Sequence, residues 1–599
     1  MNDNHNDNHD VGREENVFYF REGWKQKIGN ITKIYVKGDD YERGIQFGKL
    51  LSKEIKQVFA TYLSFLINTN KNIPLFAKWL LCRIQFLIKP FLFLFYRKKL
   101  KMQMSKYPAW LIRELEGMAK GAGMAPFYLK FMNLISDEPN ESNDGNVKEK
   151  EQSCFSFAFH GEDGNIYHGK NLDWVVVEKF IDLIYFQQHE DENGDSFFII
   201  GVPGYLVGLE FGMNSHGISI GLTGRFYRGK RASKIVSTDV IETEILRYGK
   251  NFEDIKKIYN IKAGFDRNDA LLISSKADQD FKLFEVAPIG VTVTNATNGI
   301  LFNTNTYIHP LFQKYNKQWG TVYNGNFCDP RYKRLKTLMS QNPRTMEDAF
   351  RILRDMVQPG VEDRTFLGQA TLNRFVSQVS ALMIQGEHPG VWIARDRAYA
   401  ASNEYVFFDF SSRPQQLTKV RAADAIIYSE KFKNFKDFMH LREKRYFISS
   451  RKLLKDAEKI LKREPDNPVF ILYLAQNYFK YGHFKKSLSV LETHPIEWMA
   501  DYWYCMGKCN QHLLLHDEAT NCFEKAMKLP SIDGFSELVE TVCMVQLVNI
   551  YRSMGRESDA QLWKEKLEAM KSKFATPHIG MPDYPYINNI SEQLEQVEL

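Results

Sequence analysis

The sequence predicts a layered α+β domain followed by an all-α domain. From Cys154 to about Phe226 the hydrophobic pattern has a period of 2, which is typical of β-sheet. After about residue 420 the strand patterns vanish, and residues 430–575 read as helix pairs joined by short turns. A chain of 599 residues is also too long for one ordinary core. We therefore expect at least two domains.

The expected elements alternate between sheet blocks and grouped helices, which favours a layered α+β core. Residues 1–27 are expected to form a disordered tail, and 28–37 a strand. A helix should run from about Gly38 to Tyr62, and residues 63–133 should be mostly helical. The later elements are helices near 238–260 and 331–357, and strands near 271–275, 281–286, 291–294, 300–305, 378–385, 391–394 and 404–409. The resulting domain boundaries are 28–153 for an N-terminal segment or propeptide, 154–420 for the core, 430–575 for the helical domain and 576–599 for a tail.

Composition excludes some function classes. The 79 basic and 73 acidic residues leave a net charge of only +6, too weak for a nucleic-acid-binding face. The polar start of the chain lacks the apolar core of a signal peptide. Seven scattered cysteines favour reduced thiols in a cytoplasm-like compartment. Cys505 and Cys509 are four residues apart without a second ligand pair nearby, so core packing is favoured over a zinc site.

One stretch, residues 73–96, is unusually apolar and is followed by a basic cluster at 97–101. Three cations and Pro90 interrupt it, so it predicts two short amphipathic helices rather than a membrane-spanning one. Two interpretations remain open. The helices could form a cap buried against the core, or 73–101 could make a peripheral membrane contact in which aromatic side chains meet lipid and cations meet anionic head groups.

The helical domain carries a repeated frame. Ala457, Ala519 and Ala560 each lie in the middle of a predicted helix with similar flanking residues. The segment 478–487 lies about one 34-residue period before the second frame. The pattern resembles degenerate tetratricopeptide repeats, which would offer a concave face to a protein partner. A plain helical bundle is the alternative.

Cys154 opens a predicted strand directly behind a charged run at 137–153. A thiol in this position suggests an enzyme that makes its own N-terminus by cutting the Ser153–Cys154 bond. Cys154 would then carry both a nucleophilic sulfur and a free α-amine. An α-amine has a pKa of about 8, close enough to neutral to act as the base for the thiol.

Asp163-Gly164 predicts a tight two-residue hairpin turn. Folded about that turn, Cys154 would lie opposite Asp173, with Ser156 and Asn171 on the same face. This register would bring a carboxylate beside the thiol. It would also place Lys170 on the opposite face, so a bulge is needed if Lys170 lines the site. The alternative is a buried structural cysteine and an aspartate that only ends a strand.

One series of segments resembles the N-terminal nucleophile (Ntn) hydrolases. It consists of Cys154-x-Ser156, then Asp163-Gly164, then Gly169-Lys-Asn-Leu-Asp-Trp174. The group in question contains choloylglycine hydrolase, acid ceramidase and acyl-CoA:isopenicillin acyltransferase. The resemblance covers roughly residues 28–410 and excludes the repeats. Further segments that resemble this group are Gly38–Gly48, Gly212–Ile220, Ile300–Tyr307 and Asp329–Leu335.

The resemblance implies an αββα sandwich that is activated by autocatalytic cleavage before Cys154. It assigns Cys154 as nucleophile, Asp173 as the carboxylate that positions the amine, and Asn305 as a donor to the oxyanion. Two positions depart from the family pattern, because Lys170 stands where Arg is usual and Thr223 where some members have Asn. The remaining substrate-binding or oxyanion candidates are Lys170, Asn171, Thr223, Asn214, Arg331 and Arg334.

These features predict a cysteine amidase or acyltransferase that acts on a linear, non-peptide amide. The apolar 73–96 stretch favours a fatty N-acyl substrate, while bile-salt-like and β-lactam-like amides stay open, as does the choice between hydrolysis and transfer. No metal or organic cofactor is implied. The alternative is a catalytically inactive scaffold whose repeats act as a protein-binding adaptor.

Overall fold

The computed structural model describes most of the chain outside its two ends. Outside the described residues lie 1–16, the predicted linker 137–153 with Ser153, residues 73–84 of the apolar stretch, and the tail 576–599. The described residues are 17–69, 85–105, 107–134, 154–173, 184–206, 211–225, 238–260, 269–287, 289–315, 330–357, 371–374, 377–396, 398–415, 419–444, 448–531 and 536–571.

The sandwich domain contains two sheets. The larger, sheet A, has the strand order β1-β2-β3-β6-β7-β8-β9-β10-β11-β12. Its strands are β1 (Val17–Phe20), β2 (Gly23–Ile28), β3 (Ile31–Lys37), β6 (Tyr185–Glu190), β7 (Ser196–Gly201), β8 (Phe211–Asn214), β9 (Ile218–Gly224), β10 (Asp269–Ser275), β11 (Asp280–Ala287) and β12 (Gly290–Asn295).

The smaller sheet, sheet C, has the order β13-β4-β5-β14-β15-β16-β17. Strands β4 and β5 form the hairpin that carries the candidate nucleophile and lie near one edge of this sheet. Its strands are β4 (Phe155–His160), β5 (Ile166–Asp173), β13 (Ile300–Asn303), β14 (Ser377–Gln385), β15 (Gly390–Arg395), β16 (Tyr405–Asp409) and β17 (Val420–Arg421).

The helices of the sandwich domain form two outer layers. They are α1 (Asp40–Leu50), α2 (Ser52–Thr69), α3 (Gln85–Met104), α4 (Ala109–Ala122), α5 (Pro126–Leu134), α6 (Thr238–Tyr248), α7 (Phe252–Asn260), α8 (Pro310–Gln313), α9 (Pro330–Met339) and α10 (Met346–Leu353).

The two sheets pack face to face, and helices cover both outer faces. Phe186 of sheet A stacks on Phe408 of sheet C with ring centroids 4.7 Å apart, which marks the inter-sheet core. On the outer face of sheet C, Phe155 and Phe157 belong to one buried cluster with residues of α9 and α10, such as Leu335. Helices α1, α4, α6 and α7 cover sheet A. This arrangement is the αββα sandwich that the sequence resemblance implied.

The N-terminal segment is an integral part of sheet A. Residues 17–20 and 23–28 form β1 and β2, so the prediction of a disordered tail over 1–27 is wrong for its second half. Alternating buried side chains such as Trp24 and Ile28 account for this, because they pack into the sheet. Strand β3 pairs in parallel with β6, from Thr32 opposite Tyr185 onward. A cut before Cys154 would therefore leave two pieces that share one sheet.

Helices α1 and α4 cross at unusually close range because glycines line both of them. A Cβ built on Gly44 would lie 2.2 Å from the carbonyl oxygen of Glu114. A Cβ on Gly117 would lie 2.1 Å from the carbonyl oxygen of Tyr41. Real Cβ atoms essentially never come this close, so a larger residue would force the helices apart. The glycines of the 38–48 motif thus have a packing function.

A buried ionic cluster joins the helices of the N-terminal segment to the later part of the chain. Glu114 of α4 accepts a hydrogen bond from Arg247 Nη1 at 3.0 Å and contacts His189 Nδ1 at 3.0 Å. Arg247 also pairs with Asp40, and Arg43 Nη2 lies 3.5 Å from Glu114. These cations keep the pKa of Glu114 well below its usual range against the opposing effect of burial. We name this group the Glu114 cluster.

The hairpin of β4 and β5 differs from the predicted register by one residue. Phe155 pairs with Asn171, and His160 pairs with Ile166. The loop is longer than a two-residue turn because Asp163 accepts hydrogen bonds from the backbone and side chain of Asn165, and Gly161 N donates to Asn165 O. The predictions that Asp173 lies opposite Cys154 and that Asn171 shares the face of the thiol are therefore wrong.

Helix α3 rests on α5 through aromatic contacts and exposes other apolar side chains. Tyr96 and Phe131 have ring centroids 5.1 Å apart. Leu94 is 57% exposed and Phe95 is 78% exposed. Among the described residues, no helix combines the length and the hydrophobicity that crossing a membrane requires.

The C-terminal domain consists of antiparallel helices with short connections. Ala457, Ala519 and Ala560 are buried in its core, and so are Cys505 and Cys509. The assignment to tetratricopeptide repeats stays a prediction. Its described helices are α11 (Glu430–Lys444), α12 (Ser450–Arg463), α13 (Pro468–Lys480), α14 (Phe484–Thr493), α15 (Ala500–His512), α16 (His516–Ala526), α17 (Ser536–Ser553) and α18 (Glu557–Lys571).

Candidate active site

Cys154 stands at the start of β4, on the face of sheet C that points into the sandwich. It is buried and belongs to the core cluster that includes Leu172 and Val379. Its Sγ lies 3.9 Å from the backbone carbonyl oxygen of Asp173. Continuing the hairpin register places Leu172 opposite Cys154 and leaves Asp173 beyond it, toward the Ser153–Cys154 bond. Asp173 therefore adjoins the backbone nitrogen side of Cys154.

The carboxylate of Asp173 is completely buried and held from several sides. Ser377 Oγ donates to its Oδ1 at 2.5 Å, and Arg331 Nη1 donates to its Oδ2 at 3.1 Å. Arg374 Nη1 lies 3.6 Å from the same Oδ2. Burial raises the pKa of Asp173, while the guanidinium groups of Arg374 and Arg331 oppose the rise. The arrangement fixes the orientation of the carboxylate at the end of β5.

Asn305 is tied to Asp173 through Arg331. The second Nη atom of Arg331 donates to Asn305 Oδ1, so one guanidinium bridges the two side chains. Asn305 Nδ2 donates to the carbonyl oxygen of Gly224 at 2.9 Å. Arg331 thus orients the Asn305 side chain, whose amide nitrogen is bonded to Gly224.

Thr223 lies next to this group at the end of β9. Its Oγ1 donates to Ala270 O at 3.3 Å and accepts from Arg225 Nη1 at 2.7 Å. Arg225 is fully buried, and its Nε lies 3.8 Å from a carboxylate oxygen of Glu285. Both oxygens of Glu285 accept backbone N–H groups of the segment that follows Asn305, each at 2.7 Å. The Arg225–Glu285 pair therefore fixes the loop that carries Asn305.

Lys170 and His168 project into the layer between the sheets. Lys170 is fully buried, and its Nζ donates to the carbonyl oxygen of Leu222. The observed register puts Lys170 on the inner face without the predicted bulge in the hairpin. His168 Nε2 lies 3.0 Å from Ser156 Oγ, and its Nδ1 lies 2.8 Å from Ser219 Oγ. Burial, with the charge of Lys170, lowers the pKa of His168 to about 3.

Three predicted residues lie outside this group. Asn171 faces the outer helices, where its Nδ2 donates to Leu353 O at 3.0 Å. Asn214 closes the β8–β9 turn by accepting from Ile218 N at 2.9 Å, and it also donates to the end of α6. Arg334 pairs with Asp355 instead of Asp173. Each of the three has hydrogen-bond partners that account for its burial or orientation.

The sequence reasoning missed Arg374 and Ser377, which complete the surroundings of Asp173. They approach because β14 pairs with β5, with a register shift between Ser377 and Val379 opposite the end of β5. The pairing joins residues about 200 positions apart, so no local pattern could have indicated it.

This fold and this site define the class of protein. A sandwich of two sheets between helices, with a cysteine directly before a strand and its thiol 3.9 Å from the backbone carbonyl oxygen of Asp173, fits an N-terminal nucleophile fold. Residues 159–367 match the model of the family described as acyl-coenzyme A:6-aminopenicillanic acid acyl-transferase. The family resemblance given by the motifs is thereby confirmed. Members of this group are amide hydrolases or acyltransferases. The matched range begins after Cys154 and ends before Arg374, so the roles of both rest on geometry.

Solved structures to which parts of this chain are similar include the Caenorhabditis elegans N-acylethanolamine-hydrolyzing acid amidase ortholog. It is 14% identical, with a TM-score of 0.28, over 38% of this chain and 92% of the other. A variant of conjugated bile acid hydrolase from Clostridium perfringens is 14% identical, with a TM-score of 0.31, over 45% of this chain and 97% of the hydrolase chain. MamA is 18% identical, with a TM-score of 0.20, over 26% of this chain and 94% of the MamA chain. No curated protein matches the chain.

Proposed function

We propose that the protein is a self-activating cysteine amidohydrolase or acyltransferase whose substrate is a linear, non-peptide amide with a fatty acyl group. The observation that supports this most directly is the position of Cys154. Its thiol is 3.9 Å from the main chain of Asp173, whose carboxylate is clamped by Arg331 and Ser377. A purely structural cysteine would not need such a neighbour.

Activation begins with attack of Cys154 Sγ on the carbonyl carbon of Ser153. The C–N bond of the Ser153–Cys154 peptide breaks, a thioester forms, and the nitrogen becomes the α-amine of Cys154. Water then hydrolyses the thioester, which leaves a carboxylate on Ser153 and the free thiol on Cys154. The Asp173 carboxylate then forms an ion pair with the protonated α-amine of Cys154, because Asp173 lies at the end of β5 next to the Ser153–Cys154 bond.

In turnover, the amine of Cys154 takes the thiol proton, and the sulfur attacks the amide carbonyl. Asn305 Nδ2 turns from Gly224 O to the developing oxyanion, a contact of a kind that contributes about 3–4 kcal/mol to transition-state stabilisation. The protonated amine gives its proton to the leaving nitrogen. Water or a second amine then resolves the acyl thioester, which yields an acid or a new amide.

Helix α3 supports a fatty substrate and a membrane contact. Its exposed Leu94 and Phe95 precede the cations Arg97 and Lys98, and Tyr96 fixes the helix on α5. Apolar side chains beside cations favour an anionic lipid surface. An enzyme held there would meet acyl amides dissolved in the membrane.

Intact-mass analysis tests the activation. We expect wild-type protein to give two chains that meet at 153/154, and Cys154→Ala to give one. Matured wild-type protein should then release amine from a panel of N-acyl amides. An unsplit and inactive wild-type chain would refute the proposal and favour the adaptor interpretation of residues 430–575.

Lipid contact is tested separately by co-sedimentation with vesicles. We expect binding to vesicles that contain anionic phospholipid and weak binding to zwitterionic ones. The double variant Leu94→Ser, Phe95→Ser should lose binding while its cleavage at 153/154 stays intact. Equal binding of this variant would refute the membrane contact only.

A further inference from the structure

Tyr399 joins the catalytic sandwich to the helical domain. It has a φ of +49°, which a bulky aromatic residue rarely adopts, and its side chain is fully buried. Its ring lies 5.5 Å from that of Phe435 and 6.1 Å from that of Phe432, both on α11. The helical domain thus packs around a residue that the sandwich holds in a strained conformation.

The backbone of Tyr399 reaches the surroundings of Asp173. Its N–H donates to the carbonyl oxygen of Arg374 at 3.0 Å. Arg374 N donates to Ser377 Oγ at 2.8 Å, and Ser377 Oγ donates to Asp173 Oδ1 at 2.5 Å. The Arg374 guanidinium itself lies 3.6 Å from Asp173. Arg374 therefore links Tyr399 to two of the three groups that hold the carboxylate, namely Ser377 and its own guanidinium.

Further hydrogen bonds make this connection rigid. Asn373 Nδ2 donates to Ser402 Oγ at 2.8 Å, and Asn373 N donates to Asp355 O at 2.8 Å. Arg354 donates to the carbonyl oxygens of Ala401 at 3.0 Å and Ala422 at 2.7 Å. The segments around 355, 373 and 400 are therefore hydrogen-bonded to one another beside Tyr399.

We propose that α11, acting through Tyr399, holds Arg374 and Ser377 against Asp173, so that the helical domain completes the active site. Tyr399 is a positioning residue here, and this inference rests on the proposed function. Displacing α11 should loosen the carboxylate clamp. Self-cleavage and kcat should fall together, while KM should change little because none of these residues is assigned a substrate contact.

The test uses full-length variants of α11 and of a matched position. Phe435→Ala removes the ring that packs on Tyr399. Leu491→Ala removes a fully buried side chain of the same hydrophobic cluster from α14, further along the domain. We expect Phe435→Ala to slow both cleavage at 153/154 and kcat about tenfold. It should leave KM within about twofold and move the pH profile of cleavage. Leu491→Ala should behave as wild type.

A second measurement does not depend on activity. In a Cys154→Ala background, hydrogen exchange of the peptides that contain Arg374 and Ser377 should rise in Phe435→Ala and not in Leu491→Ala. Unchanged exchange and unchanged rates in a folded Phe435→Ala protein would overturn the inference, as would an equal loss in Leu491→Ala. An uncleaved, inactive wild type with the expected exchange pattern would instead refute the proposed function alone.

Discussion

Ser377 Oγ donates a hydrogen bond of 2.5 Å to Oδ1 of Asp173, although 204 residues separate the two in the chain. Ser377→Ala should therefore slow self-cleavage and turnover. A hydrogen bond to a charged group contributes about 1.5–3 kcal/mol, which corresponds to roughly a tenfold or greater loss of rate. The rate of self-cleavage is measured as the rate at which the two chains appear in intact-mass spectra. Ser380→Ala is the matched control, because Ser380 donates at 2.5 Å to Asn171 on the same strand pair. Equal rates for the two variants would contradict the role of Ser377.

Arg331 and Arg334 lie on the same helix but make different contacts. Arg331 bridges Asp173 and Asn305, while Arg334 pairs with Asp355. Lysine cannot hold two acceptors in the fixed fork of a guanidinium. We expect Arg331→Lys to lower kcat about 10-fold to 100-fold, with the thermal midpoint within a few degrees of wild type. Arg334→Lys should affect stability more than rate. A larger kinetic loss in Arg334→Lys would reverse the assignment.

The N-terminal fragment should stay bound after cleavage at 153/154. Strand β3 lies inside sheet A beside β6, and the Glu114 cluster pairs residues of both fragments. Matured protein should elute from a size-exclusion column as one species that contains both chains. The two should separate only in denaturant. Elution of the N-terminal fragment by itself in native buffer would disprove this integration.

Gly117→Ala should destabilise the protein. The new Cβ would meet the carbonyl oxygen of Tyr41 at 2.1 Å, and backbone cannot give way as a flexible side chain can. Overpacking of this kind costs about 1–3 kcal/mol or more. Thermal unfolding followed by circular dichroism measures the change. Lys120→Ala, on the exposed part of the same helix, should stay near the wild-type midpoint. A Gly117→Ala protein as stable as that control would refute the close crossing.

Buried His168 should make the protein less stable in acid. The pKa of His168 is about 3 in the fold, and that of an ordinary histidine is 6.5. Below pH 6.5 this histidine is therefore protonated in the unfolded chain and stays neutral in the folded one. The free energy of unfolding is not reduced by this histidine above pH 6.5, and it decreases as the pH drops from 6.5 toward 3. At pH 5 the loss is on the order of 2 kcal/mol.

Urea unfolding of wild type and His168→Gln at pH 8 and pH 5 measures this effect. The wild-type midpoint should fall more between the two pH values than the midpoint of the variant. Identical pH dependence in both proteins would show that His168 does not stay neutral in the fold.

The sequence alone determined the layered sandwich, the helical domain and the choice of Cys154 as candidate nucleophile. Alternation of apolar residues and the order of the motifs are local properties, so they predicted strands such as 378–385 close to their observed bounds. The pairing of Cys154 with the end of β5 followed in outline from one turn. The exact register did not, because the side chain of Asp163 widens that loop.

Only the tertiary structure decided what surrounds Asp173. Arg374 and Ser377 reach it through β14, and Arg331 reaches it from α9. A buried carboxylate must find its partners wherever the fold brings them, so sequence distance carries no information about them. For the same reason, the contact of Tyr399 with α11 could not be foreseen, since it depends on how the helical domain packs on the segment that carries Tyr399.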